Sequence, residues 1–176
     1  AADRTNSNTT LVASPTSVVA NGSTTSSVTV RLADANGNLL SASGGTVALS
    51  STGSATVSAV TDNANGTYTA TVTNTVAESV TISGTLDGAA ITDTATITFT
   101  VGAADPTNSN TTLVASPTSV VANGSTTSSV TVRLADANGN LLSASGGTVA
   151  LSSTGSATIS AVTDNTDGTY TATVTN

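Results

Sequence analysis

Histidine, cysteine, methionine, tryptophan and lysine are all missing from this 176-residue chain. Without cysteine there is neither a disulfide to staple a small domain nor a thiol nucleophile. Without histidine the ordinary general base of neutral pH is gone. The three basic residues are all arginine (Arg4, Arg31 and Arg133), which rules out an intramolecular amide between Lys and Asn or Asp side chains. Aromatic residues make up 2% and charged residues 7% of the chain, with Phe99, Tyr68 and Tyr170 as the only rings. A carbohydrate site built on stacked rings is therefore disfavoured. The net charge of −7 repels phosphate backbones and anionic headgroups, which argues against nucleic-acid and membrane-surface binding. No apolar run approaches the roughly 20 residues that span a bilayer, and the N-terminus lacks the basic and apolar regions of a signal peptide. Any export signal or anchor is expected outside this window.

What is present is written twice. Residues 1–74 recur as residues 103–176 at a constant offset of 102, with four differences: Arg4/Pro106, Val57/Ile159, Ala64/Thr166 and Asn65/Asp167. So long a period between such similar copies indicates a tandem array of small domains, whose work is done by the array. The boundaries predicted are one complete repeat over 1–102 and a second over 103–176. Nothing after Asn176 matches Thr75 to Thr100, so the second repeat stops before its last two strands. The expectation is that the native chain continues, or that a neighbour supplies those strands.

Thr and Ser exceed a third of the residues, and hydrophobic residues stand at 37%. β-Branched Thr and Val suit a pleated, half-buried surface, and the apolar positions are regularly spaced, which a solvated linker does not require. In Ser27-Val28-Thr29-Val30-Arg31-Leu32 the apolar residues fall on one face and Thr29 and Arg31 on the other. The same alternation runs through Thr9 to Ala13, Thr46 to Ser50, Ala55 to Val60, Thr67 to Thr73, Ser79 to Leu86 and Thr94 to Val101. Asn21-Gly22, Asn36-Gly37, Asn65-Gly66 and Asp87-Gly88 mark chain reversals that need positive φ. The pattern predicts an all-β fold of tandem immunoglobulin-like β-sandwiches, about seven antiparallel strands per repeat. A closed barrel is the alternative. The joint Val101-Gly102-Ala103-Ala104-Asp105-Pro106-Thr107 is short, and Pro106 restricts both itself and Asp105, so consecutive repeats are expected nearly end to end.

No catalytic, cofactor-binding or metal-binding residue is assigned. Asp34, Asp62, Asp87 and Asp93 lie in turns or at strand ends, where the expected role is to hydrogen-bond their own turn. Calcium is the competing reading, because Asp34, Asn36 and Asn38 alternate as ligands do in a calcium loop and Asp105 offers a further carboxylate. The loop nevertheless lacks a bidentate acid, since Leu39-Leu40-Ser41-Ala42 comes next. Asp164 and Asp167 make the corresponding turn of the second copy more acidic than the Asp62/Asn65 pair of the first. Tyr68 and Tyr170 are read as core rings with the hydroxyl near an edge, and only loosely as tyrosine corners. Asn8-Thr9-Thr10 and Asn21-Gly22-Ser23 match a glycosylation pattern that arises easily in so Thr-rich a chain.

Val19-Ala20-Asn21-Gly22-Ser23, Ala33-Asp34-Ala35-Asn36-Gly37-Asn38, Thr61-Asp62 with Asn65-Gly66-Thr67-Tyr68-Thr69-Ala70-Thr71-Val72, and Ile97-Thr98-Phe99-Thr100-Val101-Gly102-Ala103-Ala104-Asp105 together resemble the bacterial immunoglobulin-like repeat of the invasin and intimin type. The resemblance implies a seven-stranded sandwich strung in series on a surface adhesin. In such proteins most copies form a stalk and a distal module makes the contact. Similar modules occur on phage particles. Nothing here resembles the Cys-containing, lectin-like tip, so no receptor-binding residue is carried over. The function expected is a structural stalk repeat, extracellular or on the bacterial surface, whose partners are neighbouring repeats of the same chain and other copies in a fibre. The alternatives are a filament subunit completed by strands from a neighbour and a loop-mediated glycan- or protein-binding module.

Overall fold

A computed structural model describes residues 1–176, which divide into two units, Ala1–Thr100 and Val101–Asn176. The division falls two residues before the one drawn from the repeat period.

The first unit is built entirely of strands and loops. In chain order they are β1 (Thr10–Ser14), β2 (Ser17–Val19), β3 (Ser26–Arg31), β4 (Val47–Ser51), β5 (Thr56–Val57), β6 (Thr61–Asp62), β7 (Thr67–Thr73), β8 (Ser79–Leu86), β9 (Ala89–Ala90) and β10 (Ala95–Thr100). One sheet runs β1-β3-β7-β5 with β6 also on β7, and the other runs β2-β10-β8-β4 with β9 also on β8. Alternation sets the faces. Val28 and Val30 of β3, Tyr68 and Val72 of β7, Val80 and Ile82 of β8, and Ile97 and Phe99 of β10 are buried in one core, while the alternate residues of these strands point outward or are only half-covered. The β8–β9 hairpin turns through Asp87 and Gly88, both at positive φ, the geometry of a two-residue hairpin with matching strand twist.

The immunoglobulin-like all-β fold is as the alternation predicts, but the strand inventory differs from the expected seven. Of Ala55 to Val60 only Thr56–Val57 (β5) is a strand; Ser58 is bonded to Thr71, and the next pairing with β7 is made by β6, just beyond the stretch. The short β2 has no signature in the sequence, and neither has its pairing. It runs parallel to β10, with Ser17, Val18 and Val19 opposite Thr98, Phe99 and Thr100, so the ladders are not all antiparallel. Three residues are too few to display a period, and the partner lies some eighty positions away in sequence.

The second unit holds β11 (Thr112–Ser116), β12 (Ser128–Arg133), β13 (Thr158–Ile159), β14 (Thr163–Asp164) and β15 (Thr169–Thr175) in one sheet, β11-β12-β15-β13 with β14 on β15. This repeats the first sheet of unit one. Ser119–Val121 and Val149–Ser153 match β2 and β4 residue for residue, yet neither forms a strand. The ladders of β2 and β4 run to β10 and β8, and residues 103–176 contain no counterpart of those strands. The core is correspondingly smaller, centred on Val132, Leu134, Leu142 and Tyr170, with Val101 packed against it. Leu113 is 61% exposed where its counterpart Leu11 is 2% exposed.

Candidate functional site

The side chains able to do chemistry are mostly committed to holding turns. Asp34 Oδ1 accepts the amides of Asn36 and Asn38, both at 2.9 Å, and the Asn38 amide group reaches both carboxylate oxygens. The alternation Asp34, Asn36, Asn38 thus makes a closed turn in which the carboxylate faces N–H donors. Asn6 and Asn8 tie the same loop down by donating to the carbonyls of Ala35 and Gly37. These bonds, led by that from the Asn38 side chain, hold the Asp34 carboxyl below its ordinary value. Asp105, the further carboxylate of the calcium reading, accepts the amide and hydroxyl of Thr107.

In the second unit the counterpart of Asp34 is Asp136, which is 1% exposed. Besides Asn138 and Asn140 it accepts the Gly102 amide at 2.9 Å on Oδ2. Burial opposes its ionisation, but the bonds from the Asn140 side chain and the amides of Gly102, Asn140 and Asn138 outweigh it, and the carboxyl is held below its ordinary value.

Asp62 and its counterpart Asp164 accept the amides of Ala64 and Thr166 in their own turns, and Asn65 and Asp167 accept those of Thr67 and Thr169. The exchange of Asn65 for Asp167 therefore keeps the turn bond while adding a charge. The hydroxyl of Tyr68, a ring only 2% exposed, donates to Gly45 O at 2.8 Å and accepts from Gly44 N at 2.9 Å. Tyr170 repeats this on Gly146 and Gly147. The ring lies in the core as expected, and its hydroxyl pins a Gly-Gly bend far away in sequence. Gly44 is required there because a Cβ would come within 2.6 Å of Leu40 Cδ2 and 2.9 Å of Leu32 Cδ1.

Asp87 departs from the expectation that it serves its own turn, and Asp93 does more than serve its own, where its Oδ1 accepts the Thr94 amide at 3.0 Å. Asp87 Oδ1 accepts the Thr46 amide and Asp93 Oδ2 accepts the Leu11 amide, each at 2.8 Å. Glu78 Oε1 accepts the Ser54 amide at 2.6 Å and the Asn74 side chain at 2.8 Å. All three carboxylates belong to residues 75–100, the segment carrying β8, β9 and β10, and all three grip residues from the earlier part of the repeat. Those links span 24 to 82 positions, so no local pattern announces them. No group of three or more His, Cys, Asp or Glu comes together where a metal ion would sit. The geometry serves to close a sandwich.

A sequence profile of invasin domain 3 matches residues 5–102 and again 105–176, together nearly all of the chain. The chain belongs to the invasin domain 3 family. Solved relatives agree with this assignment. The integrin-binding protein invasin is 30% identical over 99% of this chain, with a TM-score of 0.67. InvD of Yersinia pseudotuberculosis is 35% identical over 96%, with a TM-score of 0.62, and the Escherichia coli adhesin FdeC is 25% identical over 99%, with a TM-score of 0.61. The chain spans 35%, 49% and 56% of those structures, respectively. Invasin domain 3 is an adhesin domain type and not an enzyme family, and the present chain is a tandem of such immunoglobulin-like adhesin domains.

Proposed function

We propose that these repeats are the stalk of a bacterial surface adhesin, an extracellular spacer that carries tension between an envelope anchor and a distal contact module. The observation that carries this reading is the parallel pairing of β2 with β10. They are near the two ends of the repeat, so tension applied through the N- and C-terminal sides pulls them in opposite directions along their own axes. Thr98 N donates to Thr16 O and Ala20 N to Thr100 O, each at 2.8 Å, and these bonds resist together in shear instead of opening one at a time.

Two further features support a spacer. The copies are nearly identical, as suits a module whose number sets reach. The polar side chains are spent on their own turns and on closing the sandwich, leaving no converging set to recognise a receptor.

Solution scattering on arrays of one to four complete repeats tests the proposal. A spacer adds the same increment of maximum dimension with each copy. Growth near the square root of copy number, as in a flexible chain of beads, contradicts it.

A further inference from the structure

The two copies differ by a charge at one turn: Asn65 precedes Gly66 where Asp167 precedes Gly168. Asparagine followed by glycine is the pair most prone to lose its side-chain amide in water, because glycine has no side chain to keep its nitrogen off the neighbouring carbonyl. We propose that Asn65 is a self-modification site, where the Gly66 main-chain nitrogen attacks the Asn65 side chain and the residue becomes aspartate without an enzyme. The inference is independent of the stalk reading.

The fold, more than the sequence, singles out this position. Five Asn-Gly pairs occur, at Asn21, Asn36, Asn65, Asn123 and Asn138. In four of them the glycine nitrogen, the nucleophile of the reaction, is engaged: Gly22 donates to Asn74 O and Gly37 to Asp34 O, each at 2.9 Å, and Gly124 to Asn176 O and Gly139 to Asp136 O, each at 3.0 Å. Gly66 N donates to no backbone carbonyl, although Leu32 N reaches Gly66 O and Asn63 N reaches Thr67 O beside it. The electrophile is prepared as well. Asn65 is exposed, and its Oδ1 accepts the Thr67 amide at 3.0 Å and the Thr67 hydroxyl at 2.6 Å. Negative charge gathers on that oxygen as the bond to Cγ forms, so both donors favour the transition state over the ground state. Asn21 is similarly polarised by Ser23 and Thr24, but its Gly22 nitrogen is taken. Glycine is fixed at position 66, since a side chain there would collide with the Leu40 carbonyl.

The step balances with water as the sole co-reactant. Gly66 N gives its proton to solvent hydroxide and bonds to Asn65 Cγ. The Cγ–Nδ2 bond breaks and, with a proton returned from water, ammonia departs and leaves a five-membered imide. Water then adds at Cγ, the bond from Cγ to Gly66 N breaks, the nitrogen regains its proton and a carboxylate remains. Opening at the main-chain carbonyl instead gives isoaspartate. Nothing is oxidised or reduced.

The second unit shows the aspartate product in place. Asp167 Oδ1 accepts the Thr169 amide at 2.9 Å and the Thr169 hydroxyl, as Asn65 does from Thr67. Those bonds, and after them the nearby Arg133, hold the Asp167 carboxyl below its ordinary value. In the first unit the guanidinium of Arg31, the residue opposite Thr67 in the β3–β7 ladder, reaches Leu40 O at 3.5 Å. Conversion of Asn65 supplies that guanidinium with a counter-charge, so an array of such repeats gains negative charge copy by copy as it ages.

The test incubates the 176-residue chain at mildly alkaline pH and follows the three Asn-Gly pairs of the first unit by peptide mapping with mass spectrometry, counting aspartate and isoaspartate together. Asn65 is expected to convert at least about tenfold faster than Asn21 and Asn36. In concentrated denaturant the three rates are expected to converge. Thr67→Val, with circular dichroism and a melting curve to establish that the fold is retained, is expected to slow Asn65 by about tenfold. Three outcomes overturn the proposal: Asn65 converting no faster than the other two in the folded chain, the same ranking persisting after unfolding, or an unchanged rate in folded Thr67→Val.

Discussion

At the residue scale, stability rests on side chains that satisfy backbone groups, and removing one partner leaves the other unpaired. Tyr68→Phe keeps the ring but strips the Gly44 amide and Gly45 carbonyl of their partner. It is expected to destabilise the first unit by about 1–3 kcal/mol in a denaturant titration. Tyr170→Phe acts likewise on the second unit. The carboxylates give a pH dependence of definite sign. Asp34, Glu78 and Asp136 are held below their ordinary values in the folded state, so the stability they contribute is complete above those values and is lost as pH falls through the lowered ones. The melting temperature is expected to be nearly flat from pH 7 to about 5 and to fall below about pH 4. A fall beginning near neutrality would contradict this. The Asp34 turn is legible in the sequence because its partners lie within four residues. The reach of Asp87 and Asp93 is not, because a carboxylate in a turn looks the same whether it bonds its own loop or a strand 41 or 82 positions away.

At the element scale, the long strands announce themselves. Ser26–Arg31, Thr67–Thr73 and Ser79–Leu86 alternate cleanly because one face packs on a core and the other meets water or a partly covered surface. What stays hidden is β2, along with the shortness of β5 within Ala55 to Val60 and the presence of β6 after it, since two or three residues carry no readable period. The second copy makes the point directly: Ser119–Val121 has the sequence of β2 and no strand, so this element is created by its partner and not by its own propensity. Thr98→Pro removes the amide that donates to Thr16 O and interrupts the β2–β10 ladder. Equilibrium stability is expected to drop by about 1 kcal/mol or more. The rupture force of the repeat is expected to drop by a larger proportion than for a proline of equal equilibrium cost placed in β9, compared in single-molecule pulling.

At the scale of the whole molecule, the first sheet forms in both units, whereas the second sheet forms only where residues 75–100 supply β8 and β10, because a sandwich core is shared between layers and half of it cannot be buried alone. Calorimetry on the 176-residue chain is therefore expected to resolve two transitions, the lower one belonging to residues 101–176. The assignment is checked with Tyr170→Phe, which should move the lower transition alone. The family is legible in the sequence, since a 102-residue period and its turn motifs are properties of the string itself. The closing of the sandwich by three distant carboxylates is a property of the fold.

The proposed stalk function turns on a repeat built to carry tension along its length through the β2–β10 pair. Pulling a polyprotein of complete repeats by its N- and C-termini measures this directly. One sharp, uniform rupture peak per repeat is expected, at a force well above that found when the same domain is pulled across its strands through engineered cysteines. Low, featureless extension, or equal forces in the two directions, would refute the shear-bearing role of that pair.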